Sequence, residues 1–267
     1  MKKLVITITL AFLVFSFTNG TTPKNVKLIT IKNYTPTNVL ISTEVEEYST
    51  AGLMIKKAFY KPHHLLNFYT IYEYDSLNRL SKETEYKADS SISSTWEYWY
   101  NEKGDLIKQK RFYSENNSTY IESYLHTYNA NGQIIKTQET YKDGSKGFTY
   151  TFEYDAFGHE INYKSFFNKK PKTEYVSVYV INNKTLQYLY SYENKKGIQE
   201  LHELTSYDYK DTLMTKKIVQ SVASHLSSKV ISTYEYLYTS EGYLGEVLYS
   251  VDEVLDNKKK YEYEFYK

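Results

Sequence analysis

Along most of the chain, aromatic and aliphatic residues alternate with polar and charged ones. One alternating stretch runs from Phe68 to Tyr74, and another ends at Tyr100. A period of two is that of a β-strand whose two faces meet different surroundings. The pattern therefore predicts a chain built of short β-strands.

The alternating stretches end in a recurring motif. It reads Tyr, Asp or Asn, two variable residues, Gly or Asn, one variable residue, an aliphatic residue, and often Lys two positions later. The motif is clearest at Tyr74–Lys82, Tyr100–Lys108 and Tyr128–Lys136. Weaker copies start at Tyr48, Tyr154, Val180, Tyr209 and Tyr238, so that the starts lie 26 to 29 residues apart. This regular spacing predicts about eight tandem units.

Each motif is typical of a β-hairpin turn. Asp or Asn at the first turn position accepts hydrogen bonds from nearby amides, and the later Gly or Asn tolerates positive φ, which favours a type I turn closed by a bulge. The positive-φ position is filled by Gly52, Asn78, Gly104, Gly132, Gly158 and Gly242. In the copies at Val180 and Tyr209 it falls on Lys184 and Leu213, so altered or shortened turns are expected there.

The turn also predicts which residues face each other. Pairing Asp75 with Arg79 places one set of pairs on a single face: Tyr74 with Leu80, Tyr72 with Lys82, Thr70 with Thr84, and Phe68 with Tyr86. The other face would then be charged and solvated, carrying Glu73, Asp75, Arg79, Ser81, Glu83 and Glu85. The same reasoning sets Tyr98 opposite Lys108 and Tyr100 opposite Leu106, with lysine stems lying along tyrosine rings.

Two strands per unit predict an all-β fold of about sixteen strands. Twisted open sheets seldom exceed about ten strands without curling. Tandem β-hairpins should thus form one long, curved or coiled antiparallel sheet with its tyrosine side inward. The predicted organisation is a signal peptide (1–20), an N-terminal cap segment (21–43), the hairpin array (44–250) and a C-terminal capping strand (251–267). Val26–Ser42 lacks the motif and would cover one edge of the sheet, with Tyr261–Phe265 at the other.

The N-terminus indicates export. Lys2 and Lys3 precede an apolar run from Leu4 to Phe17, and small residues follow at Thr18–Gly20. The run is shorter than the roughly 18 to 20 residues that span a bilayer, so a cleaved signal is favoured over a membrane anchor. We expect a periplasmic, cell-surface or extracellular protein.

Composition removes several classes of function. The chain contains 32 Tyr, 12 Phe and 2 Trp, which favour strands, and no Cys, which excludes disulfides and thiolate metal sites. Without Lys2 and Lys3, 31 basic residues face 32 acidic ones. This balance gives no electrostatic basis for binding nucleic acid.

The motif Tyr-Asp/Asn-x-x-Gly-x-Leu/Ile, repeated through roughly residues 44 to 250, resembles the YD-repeat or Rhs-type family. The resemblance implies a coiled β-sheet, which in large members winds into a shell around a toxin domain. Small bacterial members are described as carbohydrate-binding. About eight units are too few to enclose a cargo domain, so the resemblance bears on the fold more than on the function.

No catalytic constellation is evident. His63 and His64 are adjacent, and on a strand they would point to opposite faces, so a loop pair is favoured over a metal site. His126 stands where other units have tyrosine, and Gly144–Gly147 reads as a hairpin connection rather than a phosphate loop. We therefore expect a protein that is not an enzyme and needs no metal or cofactor.

The tyrosine ladder is the candidate binding surface. Amphipathic rings can pack the concave side of a curved sheet, and they can also hold a sugar face or a partner protein. The candidate residues are Tyr72, Tyr74, Tyr98, Tyr100, Tyr128, Phe152, Tyr154, Tyr236 and Tyr238.

The sequence predicts a secreted, non-catalytic binding or scaffold protein that recognises carbohydrate or another exported protein. One alternative is an outer-membrane β-barrel, although charge on one face and tyrosine with lysine on the other disfavour contact with lipid. A polysaccharide hydrolase and an accessory or immunity partner of a repeat-containing toxin are the remaining alternatives.

Overall fold

The computed structural model describes residues 25–180, 185–193, 199–210, 213–222 and 229–266. The predicted signal peptide, 1–20, lies outside these residues, as do Lys184 and the two residues that precede Leu213. Among the described residues, no helix has the length and apolar character needed to cross a membrane.

The described chain is all-β, as the alternating pattern predicts. Its strands are β1 (Val26–Tyr34), β2 (Leu40–Tyr48), β3 (Met54–Lys61), β4 (Leu65–Tyr74), β5 (Leu80–Lys87), β6 (Ile92–Tyr100), β7 (Leu106–Tyr113), β8 (Ser118–Tyr128) and β9 (Ile134–Tyr141). They continue as β10 (Lys146–Tyr154), β11 (Glu160–Phe167), β12 (Lys170–Val180), β13 (Thr185–Glu193), β14 (Gln199–Lys210), β15 (Leu213–Val222), β16 (Lys229–Tyr238), β17 (Leu244–Val251) and β18 (Val254–Phe265). A short 3-10 turn, Pro62–His64, connects β3 to β4.

In the described part of the chain, all eighteen strands belong to one antiparallel sheet, in which each strand pairs with its neighbours along the chain. Connections of a few residues explain this order, because a short turn can only return the chain beside the strand it has just left. The prediction of tandem hairpins in a single sheet is confirmed.

The first and last strands pair with each other. β18 lies antiparallel to β1 over eight residue pairs, from Val26 with Phe265 to Tyr34 with Lys258, and β1 also pairs with β2. The Tyr266 amide donates to the Asn25 carbonyl at 2.9 Å, and the Tyr266 hydroxyl donates to the Tyr48 carbonyl at 2.5 Å. The described sheet thus closes on itself without a free edge, which is one solution to the edge-strand problem.

The two segments expected to cap the array instead extend it. Thr35–Val39, where no motif is evident, forms the same kind of turn: the Thr35 amide donates to Val39 O at 2.9 Å, and Asn38 has φ 66°. Asn38 thus fills the positive-φ position that Gly or Asn fills in the repeats. The cap segment therefore supplies β1 and the start of β2, and the C-terminal segment supplies β18.

The two faces of the closed sheet differ in burial. We call the face that carries Tyr72, Tyr98 and Tyr150 the inner face, because large side chains are buried there: Tyr98 is 8% exposed and Tyr150 2%. On the opposite, outer face, Leu125 is 71% exposed. Where β1 meets β18, Val26, Ile29 and Ile31 form an apolar cluster against Tyr48, Tyr261 and Tyr263.

Candidate functional site

The hairpin turns have the predicted geometry. In the unit at Tyr74, the Asp75 amide donates to Arg79 O at 2.9 Å, and Asn78 has φ 60°. The Asp75 carboxylate accepts from the amides of Leu77 and Arg79, each at 2.9 Å. These hydrogen bonds, first that from the Arg79 amide, hold the pKa of Asp75 below its ordinary value. The glycines at the same turn position, for example Gly104 with φ 91°, also have positive φ.

Beyond the turn, the predicted register is wrong by one residue. Tyr74 pairs with Leu80 as predicted, but the next pair is Glu73 with Lys82, followed by Tyr72 with Glu83. Ser81 is the additional residue of a β-bulge, and a shift of one residue exchanges the faces of everything that follows on that strand. The predicted pairs of Tyr72 with Lys82, Thr70 with Thr84 and Phe68 with Tyr86 are therefore not formed. The observed partners are Glu83 for Tyr72, Glu85 for Thr70 and Lys87 for Phe68.

The same bulge recurs in the next unit. Tyr100 pairs with Leu106 as predicted, but Tyr98 lies opposite Gln109, and Lys108 lies opposite Trp99. The Lys108 ammonium lies 4.7 Å from the Trp99 ring centroid on the outer face. The lysine of the motif therefore lies beside the residue that precedes the tyrosine, not beside a ring of the tyrosine ladder.

Motif tyrosines connect consecutive units through what we call the tyrosine clasp. In the clasp, the tyrosine hydroxyl donates to the carbonyl of the aliphatic residue in the preceding motif. Clasps join Tyr74 to Met54 (2.7 Å), Tyr100 to Leu80 (2.8 Å), Tyr154 to Ile134 (2.8 Å), Tyr238 to Met214 (2.8 Å) and Tyr263 to Leu244 (2.7 Å). Each acceptor sits at a bulge, where the ladder of hydrogen bonds is interrupted, so the hydroxyl supplies a donor that the sheet does not.

The unit at Tyr128 makes an equivalent connection with different residues. His126 Nε2 lies 2.7 Å from Leu106 O, and because a carbonyl only accepts, Nε2 carries the proton. The Tyr128 hydroxyl is then free to donate to Asp105 Oδ2 at 2.7 Å and to accept from Asn101 Nδ2 at 2.9 Å. His126 was expected only to replace one aromatic ring by another. Its Nε2–H also replaces the tyrosine hydroxyl as the donor of the clasp.

The ladder residues share the inner face, as predicted. The register from β4 to β16 places on this face Tyr72, Tyr74, Tyr98, Tyr100, Tyr128, Phe152, Tyr154, Tyr236 and Tyr238. Burial is the main cause that raises the pKa of Tyr72, Tyr154 and Tyr236 to about 12. Their hydroxyls stay protonated at physiological pH, and that of Tyr154 donates to Ile134 O at 2.8 Å. Whether this face binds a ligand stays a prediction.

A charged cluster lies within the inner face between β6 and β10. Arg111 donates to Glu122, which also accepts from Gln109 and, at 3.0 Å, from the Tyr124 hydroxyl. The Arg111 guanidinium lies 5.0 Å from the Trp96 ring centroid. A buried carboxylate needs such partners, because desolvation of an unpaired charge is costly. The cluster therefore stabilises this part of the inner face by pairing the buried charge of Glu122.

Three further carboxylates on the inner face have raised pKa values. Burial raises the pKa of Glu83 even though the Tyr98 hydroxyl donates to it at 2.7 Å. Burial also raises the pKa of Glu139, which is 3% exposed and accepts from the Phe148 amide at 2.9 Å. For Glu160, burial raises the pKa to about 6. Glu83 and Glu85 were expected on the solvated face, and the bulge at Ser81 is the reason that they are not.

The outer face carries cross-strand ion pairs. Lys56 contacts Glu47 at 3.0 Å, Lys82 contacts Glu73 at 3.0 Å, and Lys110 contacts Glu97 at 3.2 Å. These side chains are roughly one third to one half exposed, so each pair contributes about 1 kcal/mol or less. Their main consequence is a hydrated outer surface.

Histidines and carboxylates do not assemble a metal site in the part of the chain that the structure describes, where no group of three or more His, Asp or Glu side chains could hold an ion. His63 and His64 lie exposed in the 3-10 turn, with φ of 64° and 58°. Gly144 has φ 80° in the turn from β9 to β10, which is the hairpin connection predicted there.

Sequence reasoning missed the charged cluster around Arg111. Its members are spread over three strands, β6, β7 and β8. The predicted register without a bulge also assigned Glu83 and Glu85 to the outer face. A signal was present: in every clear motif, the aliphatic residue is followed by one more residue before the lysine. Counting that residue as the bulge would have produced the observed faces.

No family model matches the chain, and no curated protein matches it. Among solved structures, a porin-like protein from Bacteroides uniformis has 14% identity and a TM-score of 0.46, over 91% of this chain and 99% of that one. The Photorhabdus luminescens Tc holotoxin pore and the TcdB2–TccC3 complex each have 10% identity and a TM-score of 0.20. The matches cover 81% and 82% of this chain but 17% of either toxin chain. The resemblance to the YD-repeat family stays a prediction.

Proposed function

We propose that this chain is an exported, non-catalytic binding protein that holds a glycan or an exported partner protein on a rigid sheet surface. The tyrosine clasp is the observation that supports this proposal most strongly. Four motif tyrosines and Tyr263 use their hydroxyls to join one hairpin to the next, for example Tyr100 to Leu80. Side chains that are held in this way form a fixed surface of rings, which lowers the entropy cost of binding.

The inner face offers ring surfaces next to hydrogen-bonding groups. Tyr72 is half-buried beside Glu83, and Tyr98 donates to the same carboxylate. Rings combined with acceptors suit a sugar, whose hydroxyls need partners and whose C–H face packs on an aromatic ring. They also suit a protein partner that presents aromatic or polar side chains.

A glycan array combined with a pull-down from culture medium tests the proposal. We expect wild-type protein to retain at least one glycan or one exported protein. Tyr72→Leu removes a ring from the inner face but keeps an apolar side chain, and circular dichroism with a thermal melt checks its folding. Wild-type protein that retains neither a glycan nor a protein would contradict the proposal.

The alternative of a polysaccharide hydrolase is tested by an activity assay on the same protein. Glu122 and Glu139 are the most buried described carboxylates of the inner face, and the pKa of Glu139 is raised by burial. We expect no turnover of cell-wall or plant polysaccharides. Turnover by the wild type that disappears in Glu139→Gln would replace the binding proposal with a catalytic one.

The outer-membrane alternative is the second candidate, and the pairing of β1 with β18 is the observation that favours it. Against it, outward-facing ion pairs such as Lys56–Glu47 and Lys82–Glu73 would lie where lipid tails are expected. Cell fractionation separates the two: we expect release without detergent, and recovery in detergent-extracted membranes alone would favour insertion. A gene for a repeat-containing toxin beside the gene for this chain would instead favour the role of an accessory or immunity partner.

A further inference from the structure

An open groove lies on the outer face between the hairpins that start at Tyr74 and Tyr100, where both depart from the repeat. At the position after the motif aliphatic residue, the first five units carry Ile55, Ser81, Ile107, Ile135 and Ile161. At the position before the motif tyrosine, they carry Glu47, Glu73, Trp99, Thr127 and Glu153. Ser81 is the small exception in the first set, and Trp99 is the aromatic exception in the second.

These two exceptions are neighbours in space. Lys82 pairs with Glu97, and Trp99 lies two residues farther along β6, beside the bulge that contains Ser81. Together with Glu73 and Arg79 they line an open groove of about 430 Å³. Ser81 lines the groove, and the larger isoleucine side chain is expected to fill part of this space.

The groove has one apolar wall and a polar floor. Trp99 is 38% exposed, and Lys108 approaches its ring from the β7 side, away from the groove. The floor alternates acceptors and donors, because Lys82 pairs with Glu73 at 3.0 Å and Arg79 pairs with Asp75 at 2.7 Å. Ser81 Oγ donates to Glu73 O at 3.1 Å.

We infer that this groove binds an uncharged hexopyranose unit of a glycan, an inference that rests on the glycan branch of the proposed function. Sugar hydroxyls both donate and accept, which matches the alternating floor. The C–H face of a pyranose carries partial positive charge and packs against the negative face of an indole. The lining holds three acidic residues, Glu73, Asp75 and Glu97, against Arg79 and Lys82, which disfavours uronic acids.

Titration of the full chain with methyl hexopyranosides and their tetrasaccharides tests the inference by NMR. The protein contains two tryptophans, so two indole N–H signals are expected, and Trp99→Phe assigns them. We expect neutral glucosides, galactosides or mannosides to shift the Trp99 signal and leave that of Trp96, which lies on the inner face, in place. Methyl glucuronide should bind more weakly than the matching glucoside.

Two variants of the same residue provide the matched control. Ser81→Ile installs the residue of the neighbouring units, so it should fold normally and weaken sugar binding by at least about tenfold. Ser81→Ala keeps the groove open and should bind within about twofold of wild type, because the Ser81 hydroxyl is occupied by a backbone carbonyl.

Two results would overturn the inference. The first is a Trp99 signal that no neutral hexoside moves at tens of millimolar, and the second is undiminished binding by Ser81→Ile. If one of these results is obtained while the array or the pull-down still retains a glycan or a protein, sugar binding in the groove is refuted but the proposed function is not. If nothing is retained in any assay, both are wrong.

Discussion

The inner and outer faces of the same strands hold their carboxylates in different ways. On the inner face, Glu83 and Glu122 accept hydrogen bonds from tyrosine hydroxyls, and Glu122 also accepts from Arg111. On the outer face, Glu73 and Glu97 pair with lysines in contact with water. The strands contribute similar residues to both faces, so composition does not explain the difference.

The bulge explains why the carboxylates of the two faces have different partners. One additional residue after each motif turn moves Lys82 outward to Glu73 and Glu83 inward to Tyr72. A buried carboxylate requires donors, and the tyrosines and Arg111 supply them, whereas a solvated one requires little. Loss of a side-chain partner should therefore reduce the free energy of unfolding more on the inner face than on the outer face.

Loss of Arg111 should have the largest effect. Arg111→Met leaves Glu122 buried without its cation and removes the contact with Trp96, so we expect a loss of about 3 to 5 kcal/mol in the free energy of unfolding. Urea denaturation measures it. The matched control is Lys110→Met on the outer face of the same strand, where a loss of about 1 kcal/mol or less is expected. Equal losses would erase the distinction between the faces.

Acid should stabilise the protein through the inner carboxylates. The pKa of Glu160 is raised from 4.5 to about 6, so its contribution is complete below about pH 4.5 and is lost as the pH rises through 6. That shift corresponds to at most about 2 kcal/mol, and Glu83 and Glu139 act in the same direction. Urea midpoints should be higher at pH 5 than at pH 7.5.

Glu160→Gln is the check on this pH dependence, because it removes the titrating group while keeping the shape. The variant should show a smaller rise in urea midpoint between pH 7.5 and pH 5 than wild type. A wild-type midpoint that falls over this range would show that groups with lowered pKa values, such as Asp75, dominate instead.

Removal of a clasp hydroxyl should have a moderate effect. Tyr100→Phe leaves the Leu80 carbonyl without its donor, so a loss of about 1 kcal/mol is expected in the free energy of unfolding. The control is Tyr86→Phe on the outer face, where the ring stacks on Tyr69 at 4.9 Å and the change should be about 0.5 kcal/mol or less. A larger loss for Tyr86→Phe would contradict a structural role for the clasp.

The outer ion pairs should have the smallest effect. A double-mutant cycle with Glu73→Ala and Lys82→Ala should give a coupling of about 0.5 kcal/mol, because both side chains are largely hydrated. The coupling should decrease further in 1 M salt. A coupling above about 2 kcal/mol that resists salt would place this pair in the same class as Arg111 and Glu122.

Sequence reasoning recovers those parts of the fold that depend on local chemistry. The turn at Asp75, the pairing of Tyr74 with Leu80 and the shared face of the ladder all follow from residues within one unit. Spacing of the motif along the chain was enough to predict hairpins in a single sheet. Local propensity, turn chemistry and periodicity agree here, which makes the prediction robust.

The parts that sequence reasoning missed depend on longer-range or finer geometry. Closure of the sheet depends on β1 meeting β18, which are separated by most of the chain and carry no obvious motif. The cluster at Arg111 draws on residues from several strands, whose facing is decided by the bulge. Because the side-chain period of a strand is two, one uncounted residue was enough to invert a face.

The bulge-shifted register is tested most directly by disulfide trapping, since the chain contains no cysteine of its own. Thr84→Cys is combined with Ile71→Cys, which lies directly opposite it, or with Thr70→Cys, which would lie opposite in a straight hairpin. Cβ atoms of directly opposed residues lie about 4.5 to 5.5 Å apart, close enough for a disulfide under mild oxidation. We predict a disulfide in the Ile71/Thr84 pair and none in the Thr70/Thr84 pair, and the reverse result would contradict the assignment of faces on which this account depends.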